Sequence, residues 1–274
     1  MSDDRAVSFD ELQDLEPNPT ATEFLFDMRE YMKDMVGGEI RASLADLETT
    51  QWIVEENYDE MKNFVDGQSA YPEQPEDFLM RYKRLLHNYA ASVYSLIVHT
   101  QNFNDKYGDN EFRDTYTSEL VDRGLDKRSA FVRNIRHYIQ KNEIPDILAP
   151  GAICFEDDEP ATFSWNLALD TESVVDWDGW NSDAKQYLNS TGSGLSGVTG
   201  GDDSLDSPED DRYIPLVEEI DSYQNEIGDF YDWYYSYARD YFDGKISDYL
   251  YMVEEHDYLS DYVLNDVVRG NPYD

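Results

Sequence analysis

Apolar residues recur every three or four positions along most of this chain of 274 residues. That spacing puts them on one face of an α-helix. Phe24, Met28, Tyr31 and Met35 form the first stripe, with Thr20 and Thr22 placed to cap its start. Gly37-Gly38 is expected to break or bend it, and the pattern resumes through Ile40, Leu44, Leu47, Val54, Tyr58, Met61 and Val65 to end near Gly67. Beyond Pro72 and Pro75, the acids Glu76 and Asp77 suit the first turn of a helix carrying Phe78, Tyr82, Leu85, Tyr89, Val93 and Leu96. Glu111 to Leu120 and Lys127 to Gln140 read as two helices joined around Gly124, the second packing through Phe131, Ile135, Tyr138 and Ile139 and ended by Pro145.

The pattern changes after Pro150. Gly151 to Phe155 and Thr162 to Leu169 are short and apolar or alternating, which predicts a small β-hairpin inserted around residues 150–170. Thr171 to Tyr187 predicts one or two short helices bearing Trp177 and Trp180. Asn189 to Asp211, rich in Gly, Ser and Asp, reads as a flexible acidic loop. From about Tyr213 a long helix carries Leu216, Ile220, Tyr223, Ile227, Phe230, Tyr234, Tyr237 and Tyr241 in alternating steps of four and three, a seam suited to the core of a bundle. Gly244 is expected to interrupt it before one or two further helices between Ile246 and Val268. The fold class is therefore mainly α, a helical bundle with a small β-hairpin insertion. The polar segment 1–19 reads as a flexible leader, and 20–274 as a single helical domain.

Charge alters this picture. Sixty Asp and Glu stand against 21 Lys and Arg, a formal net charge of -39, and the basic residues are eight lysines and 13 arginines. The acids are spread over every helix-like segment, as on proteins of extreme halophiles, where a Debye length of ~3 Å at about 1 M salt makes such charge tolerable. A dedicated acidic surface such as DNA mimicry is the competing reading. Cys154 is the only cysteine, so an intrachain disulfide or Cys-based zinc cluster is excluded, and its apolar neighbours suit a small buried residue. The acidic first residues contain no apolar signal core, and no run approaches the ~18 apolar residues of a membrane span. A cytoplasmic protein without membrane contact is expected.

Few motifs carry chemistry. Among the histidines, His87, His99 and His256 are isolated and fit no metal-binding spacing. Asp202 to Asp206 and Glu209 to Asp211 offer hard oxygen ligands but not the EF-hand order, and read as solvated acids. Gly192, Gly194 and Gly197 lack the strand-to-helix context of a phosphate loop. No metal and no cofactor is expected.

One stretch reverses the charge sign. Between Arg123 and Asn142 there are six basic residues and one acid, Asp126. A second basic group, Arg81, Lys83, Arg84 and His87, lies near the start of the third predicted helix. Arg133 and His137, four apart, share a helical face, with Asn134 and Arg136 beside them. A cation next to an imidazole is a pairing able to cleave RNA without metal, the His moving a proton while Arg stabilises the charged phosphorane. Arg128, Arg133, Asn134, Arg136, His137, Tyr138 and Lys141 are accordingly the candidate binding residues, with Tyr138 and Tyr116 available for stacking. An amphipathic helix with solvent-facing charges produces the same residues without any ligand.

The segment Phe131-Val132-Arg133-Asn134-Ile135-Arg136-His137-Tyr138-Ile139-Gln140-Lys141, followed by Ile144-Pro145, resembles the motif helix of HEPN-like proteins. That family has a four-helix core and includes metal-independent endoribonucleases of toxin–antitoxin and defence systems. Its signature is Arg, a polar residue, and then His after four to six intervening positions. Read from Arg136, Lys141 stands where the His belongs; read from Arg133, His137 follows after only three positions. The resemblance, over roughly 70 residues, thus implies a member without catalysis that binds RNA or a partner protein, and a homodimer paired through this helix. Two functions are expected to compete: a non-enzymatic interaction or scaffold protein, and an endoribonuclease using Arg133, Arg136 and His137.

Overall fold

The computed structural model describes residues 26–29, 31–32, 34–68, 74–141, 147–148, 151–154, 162–165, 167–191 and 213–269. Eight helices and five short strands are described: α1 (Val36–Asp66), α2 (Pro75–Tyr107), α3 (Asn110–Asp122), α4 (Leu125–Lys141), β1 (Ile147–Leu148), β2 (Gly151–Cys154), β3 (Thr162–Trp165), β4 (Ala168–Asp170), α5 (Thr171–Val175), α6 (Ser182–Thr191), β5 (Tyr213–Pro215), α7 (Leu216–Tyr241) and α8 (Asp243–Arg269). The fold is a mainly α bundle with a small hairpin, as the periodicity predicts. Its contacts divide the chain into two units, Met1–Leu44 with Ser236–Asp274, and Ala45–Tyr235. The predicted leader, the Pro145 stop and residues 192–211 of the loop predicted over 189–211 lie outside the described residues, while Asn189 to Thr191 are not loop but the last residues of α6.

In the larger unit the helices begin and end where local chemistry directs. Pro75 opens α2, where a missing N–H costs nothing. The Asp109 carboxylate accepts the Phe112 N–H at 3.0 Å and caps α3. Gly124, at φ 68, turns the chain from α3 into α4 in the left-handed conformation that other residues adopt only at a cost. The predicted stripe of α2 is the buried one: Phe78, Tyr82, Leu85, Tyr89, Val93 and Leu96 are each at most 5% exposed.

On α7, Leu216, Ile220, Tyr223, Ile227, Phe230 and Tyr234 are buried as the seam requires, with Tyr231 and Tyr235 beside them. Several phenols of this core are hydrogen-bonded between helices, although the buried Tyr82 hydroxyl has no partner among the described residues. Tyr231 Oη is 2.8 Å from Thr100 Oγ1, Tyr234 donates to Asn104 Oδ1 at 2.7 Å, and Tyr89 of α2 donates to Gln224 Oε1 at 3.1 Å. The part of α1 in this unit joins the same core through Tyr58, which donates to Asp221 Oδ1 at 2.9 Å, and through Lys62, paired with the same carboxylate.

The small strands correct the sequence reading in two ways. The hairpin exists, β2 pairing antiparallel with β3 from Gly151↔Trp165 to Cys154↔Thr162. Thr162 to Leu169, however, is not one strand: β4 leaves the hairpin for a second, three-stranded sheet in the order β1-β4-β5. Its middle rung is Ile147, Leu169 and Ile214, all buried. Tyr213 accordingly begins a strand rather than the long helix, which starts three residues later. Two helices, α5 and α6, fill the predicted short-helix region, and Asn181 Oδ1 caps the second by accepting Ala184 N–H at 2.8 Å.

In the smaller unit the glycines have a different role from the one expected. The chain turns at Asp34, and Gly37-Gly38 lies inside the first turn of α1. A Cβ on Gly37 would stand 2.0 Å from the Lys245 carbonyl oxygen, and one on Gly38 would stand 2.7 Å from the Tyr249 ring. These residues let α1 and α8 approach backbone to backbone. Gly244 likewise lies within α8; the break falls at Phe242, which is buried. Here Ala238 and Phe242 are buried and the predicted Tyr237 and Tyr241 only partly, because a straight helix drifts relative to a 3.5-residue repeat.

Candidate functional site

Helix α4 carries the charge reversal, and its packing sorts the candidate residues. Leu125, Ala130, Phe131, Val132, Ile135 and Tyr138 are buried, and the helix lies against α2 and α6. Ile139, expected in this face, is only half-buried. Phe131 stacks on Trp180 with ring centres 6.2 Å apart and lies 5.1 Å from Tyr187. Tyr138 stacks on Trp180 at 5.8 Å and meets Trp177 edge-on at 5.2 Å. The Tyr138 ring is therefore a core group. Asn134 is buried too, its amide donating to the Ala130 carbonyl one turn back at 2.7 Å.

Two of the cations are held by carboxylates. Arg123 pairs with Glu119 one turn earlier at 2.7 Å. Arg128 is bound to α7: Nε donates to Glu219 Oε1 at 2.9 Å, Nη2 to the Glu219 carbonyl at 3.2 Å, and Nη1 to Glu226. Its side chain is 13% exposed, so this guanidinium holds helices together.

Further along α4 the pattern changes. Arg133, Arg136, His137 and Lys141 follow one another at the spacing of a single helical face. Among the described residues none of them has an acidic partner. Arg136 lies over the Tyr94 ring of α2, 4.4 Å from its centre, and His137 meets the same ring edge-on at 5.7 Å. Burial lowers the His137 pKa below its ordinary value, and the cations of Arg136, Lys141 and Arg133 depress it further. The imidazole is thus neutral at pH 7, a ring with a donor and an acceptor.

Arg133 has a second surrounding. It lines a partly open cleft of about 130 Å³ between α2, α3, α4 and α7, whose wall mixes Ile97, Leu125, Ile227 and Phe230 with the polar Gln101, Asp126 and Ser129. Tyr116 of α3 also lines this space; burial pushes its phenol up to about 12, and its hydroxyl has no hydrogen-bond partner among the described residues.

The second basic group does not converge on this face: Arg81 covers the Phe64 ring at 4.6 Å, and Arg84 reaches Glu60 at 3.6 Å. His99 is bonded to Thr50 at 3.1 Å. No cluster of metal-ligating side chains occurs among the described residues, and no helix there is long and apolar enough to cross a membrane. Tyr94 and Ile97 carry no sequence signal of this role, because both lie on α2 and no local pattern ties them to α4. Comparison with models of protein families, with curated proteins and with solved structures finds no match.

Proposed function

We propose that this chain is a non-enzymatic binding protein that holds single-stranded RNA against the outward stripe of α4. The carrying observation is the absence of acidic partners, among the described residues, for Arg133, Arg136 and Lys141. Within the basic stretch, Arg123 and Arg128 are held by carboxylates, whereas these three gather on one helical face without one. Keeping three cations unpaired on one face favours a ligand that brings its own negative charge.

The neighbouring rings favour RNA over a merely acidic protein surface. Arg136 lying over Tyr94, with His137 at its edge, offers planar groups for base stacking beside phosphate-binding cations. Stacking matters because phosphate contacts alone weaken steeply as salt rises, and the composition supports a salt-rich setting. The resemblance of α4 to the HEPN-like motif helix points the same way, and its irregular Arg–His spacing supports binding without cleavage.

The test is fluorescence anisotropy with a labelled single-stranded RNA in about 1 M KCl and a chelator, with the RNA recovered afterwards on a denaturing gel. Binding is expected, with intact RNA, and Arg136→Gln with Lys141→Gln should weaken it at least about ten-fold, two charged contacts being lost. Equal binding by that variant, or none by the parent, overturns the reading. Cleavage abolished by His137→Ala would replace it with a metal-independent endoribonuclease.

A further inference from the structure

Helix α1 carries an exposed apolar face that the RNA reading does not use. Trp52 is 57% and Ile53 43% exposed, while the opposite face of the helix, with Leu47, Val54 and Met61, is buried. Ala45 and Thr49, two turns and one turn before Trp52, continue the same uncharged line. The strip from Ala45 to Ile53 is thus about 12 Å long at 1.5 Å per residue.

Its surroundings select by charge. From Ala42 to Met61 the chain has six acids, Asp46, Glu48, Glu55, Glu56, Asp59 and Glu60, and no basic residue. Glu48, Glu55 and Glu56 stand three or four positions from Trp52, the spacing of neighbours on a helix surface. Lys62, further along α1, and Arg84 of α2 are engaged with Asp221 and Glu60. Elsewhere in the molecule exposed rings have cations laid on them: Lys62 over Tyr58 at 5.8 Å, Arg81 over Phe64 at 4.6 Å and Arg136 over Tyr94 at 4.4 Å. Indole attracts a cation more strongly than either phenol or phenyl. Yet Trp52 has neither a cation nor a ring beside it among the described residues.

We infer that this face of α1 docks an arginine-bearing amphipathic helix of a partner protein, which lays an arginine on the Trp52 indole between Glu48 and Glu56 and an apolar side chain on Ile53. A guanidinium stacks on an aromatic plane while its N–H groups reach carboxylates, and Trp and Arg are the side chains that most often anchor protein interfaces. The small Ala45 and Thr49 let a second helix lie close along the strip.

Charge disfavours other occupants. Nucleic acid and anionic lipid are repelled by the six carboxylates. Residues 1–19, with six acids against one base, are repelled as well. A second copy brings a net charge of -39, and its cationic α4 has turned Phe131, Ile135 and Tyr138 into its own core, leaving only the half-buried Ile139 to meet Ile53.

The probe is a helical peptide of about 18 residues with leucines on one face and arginines along its edges. It is titrated into the full chain in about 1 M KCl, which suppresses binding by bulk charge. Saturable one-to-one binding is expected by calorimetry, with the NMR signal of the Trp52 indole N–H shifting and those of Trp177, Trp180 and Trp233 staying in place. Trp52→Ala, an exposed change that should leave the melting temperature unaltered, should weaken binding at least about ten-fold. Glu48→Gln with Glu56→Gln should weaken it several-fold. If Trp52→Ala binds like the parent, or a scrambled peptide of the same composition binds as well, only bulk charge is at work and the assignment fails. Sedimentation that shows a dimer split by Trp52→Ala gives the face to a second copy and overturns it too, as does absence of any saturable response. Trp52→Ala leaves α4 untouched and should leave RNA binding intact, so the two readings fail separately.

Discussion

Replacing either of two arginines on α4 by methionine should have opposite consequences, although the sequence presents them alike. Arg128 is 13% exposed and Glu219, its main partner, 14%, whereas the second partner Glu226 is 42% exposed. Arg128→Met keeps an apolar stem near the Tyr223 ring but leaves the Glu219 carboxylate without its counter-charge. Breaking a buried ion pair from one side costs about 3–5 kcal/mol, and the exposed Glu226 adds only about 0–1. Discounting for the exposure that remains, the expected loss is roughly 2–4 kcal/mol. At about 2–4 °C per kcal/mol for a chain of this size, the melting temperature should fall by roughly 5–15 °C. Arg133→Met breaks no pair among the described residues, so its effect should stay within about 0.5 kcal/mol. The assay is thermal melting followed by circular dichroism in about 1 M KCl, where partly buried pairs persist and surface charges are screened. Adding Glu219→Gln to Arg128→Met should cost less than the sum of the single changes, since both act on one interaction. If Arg128→Met melts with the parent, or Arg133→Met falls as far as Arg128→Met, then the division of α4 into a structural and a free half is wrong.

Other measurements check the remaining physics. Gly37→Ala should destabilise by about 1–2 kcal/mol, because the clash with a backbone oxygen outweighs the roughly 0.5–1 kcal/mol that alanine gains in a helix. Gly228→Ala, with nothing within 4 Å of the new Cβ, should stabilise the chain instead, and chemical denaturation that gave both the same sign would contradict the packing at Gly37. Since the folded chain holds the His137 pKa below its usual value, the unfolded chain protonates first, and stability should decline as pH falls below about 6.5, levelling off beneath the folded value. His137→Gln should flatten that part of the stability–pH curve, and an unchanged slope would refute the assignment. The net charge of -39 predicts loss of cooperative structure below about 0.5 M salt, so a circular dichroism titration with KCl that stayed flat would count against salt adaptation.

Periodicity made the long helices legible because each buries one continuous face. The stripe of α2 and most of the α7 seam could be read directly from spacing. What could not be read was set by distant chemistry. Arg128 looks like any other cation on an amphipathic helix until Glu219 and Glu226, 91 and 98 residues away, are brought beside it. Tyr138 reads both as a packing residue of its helix and as a stacking group, and its contacts with Trp177 and Trp180 place it in the core. Strand β5 is three residues long and runs straight into α7, so helical periodicity hid it. Gly37-Gly38 has the composition of a break, yet its function is to admit Lys245 and Tyr249 at close range, a demand visible only in three dimensions.

The three hydrogen bonds linking α2 to α7 act as a vernier between two long rods. Greasy seams tolerate sliding by one turn, about 5.4 Å, because one aliphatic knob replaces another. Here such a slip would strand the hydroxyls of Tyr89, Tyr231 and Tyr234 at once, together with Gln224, Thr100 and Asn104. The oxygen on each ring thereby turns an interchangeable interface into one with a single permitted alignment. Phenylalanine at all three places would keep the helices and the volume but forfeit that uniqueness, leaving far-ultraviolet dichroism intact and blurring the near-ultraviolet signal of the aromatic interior.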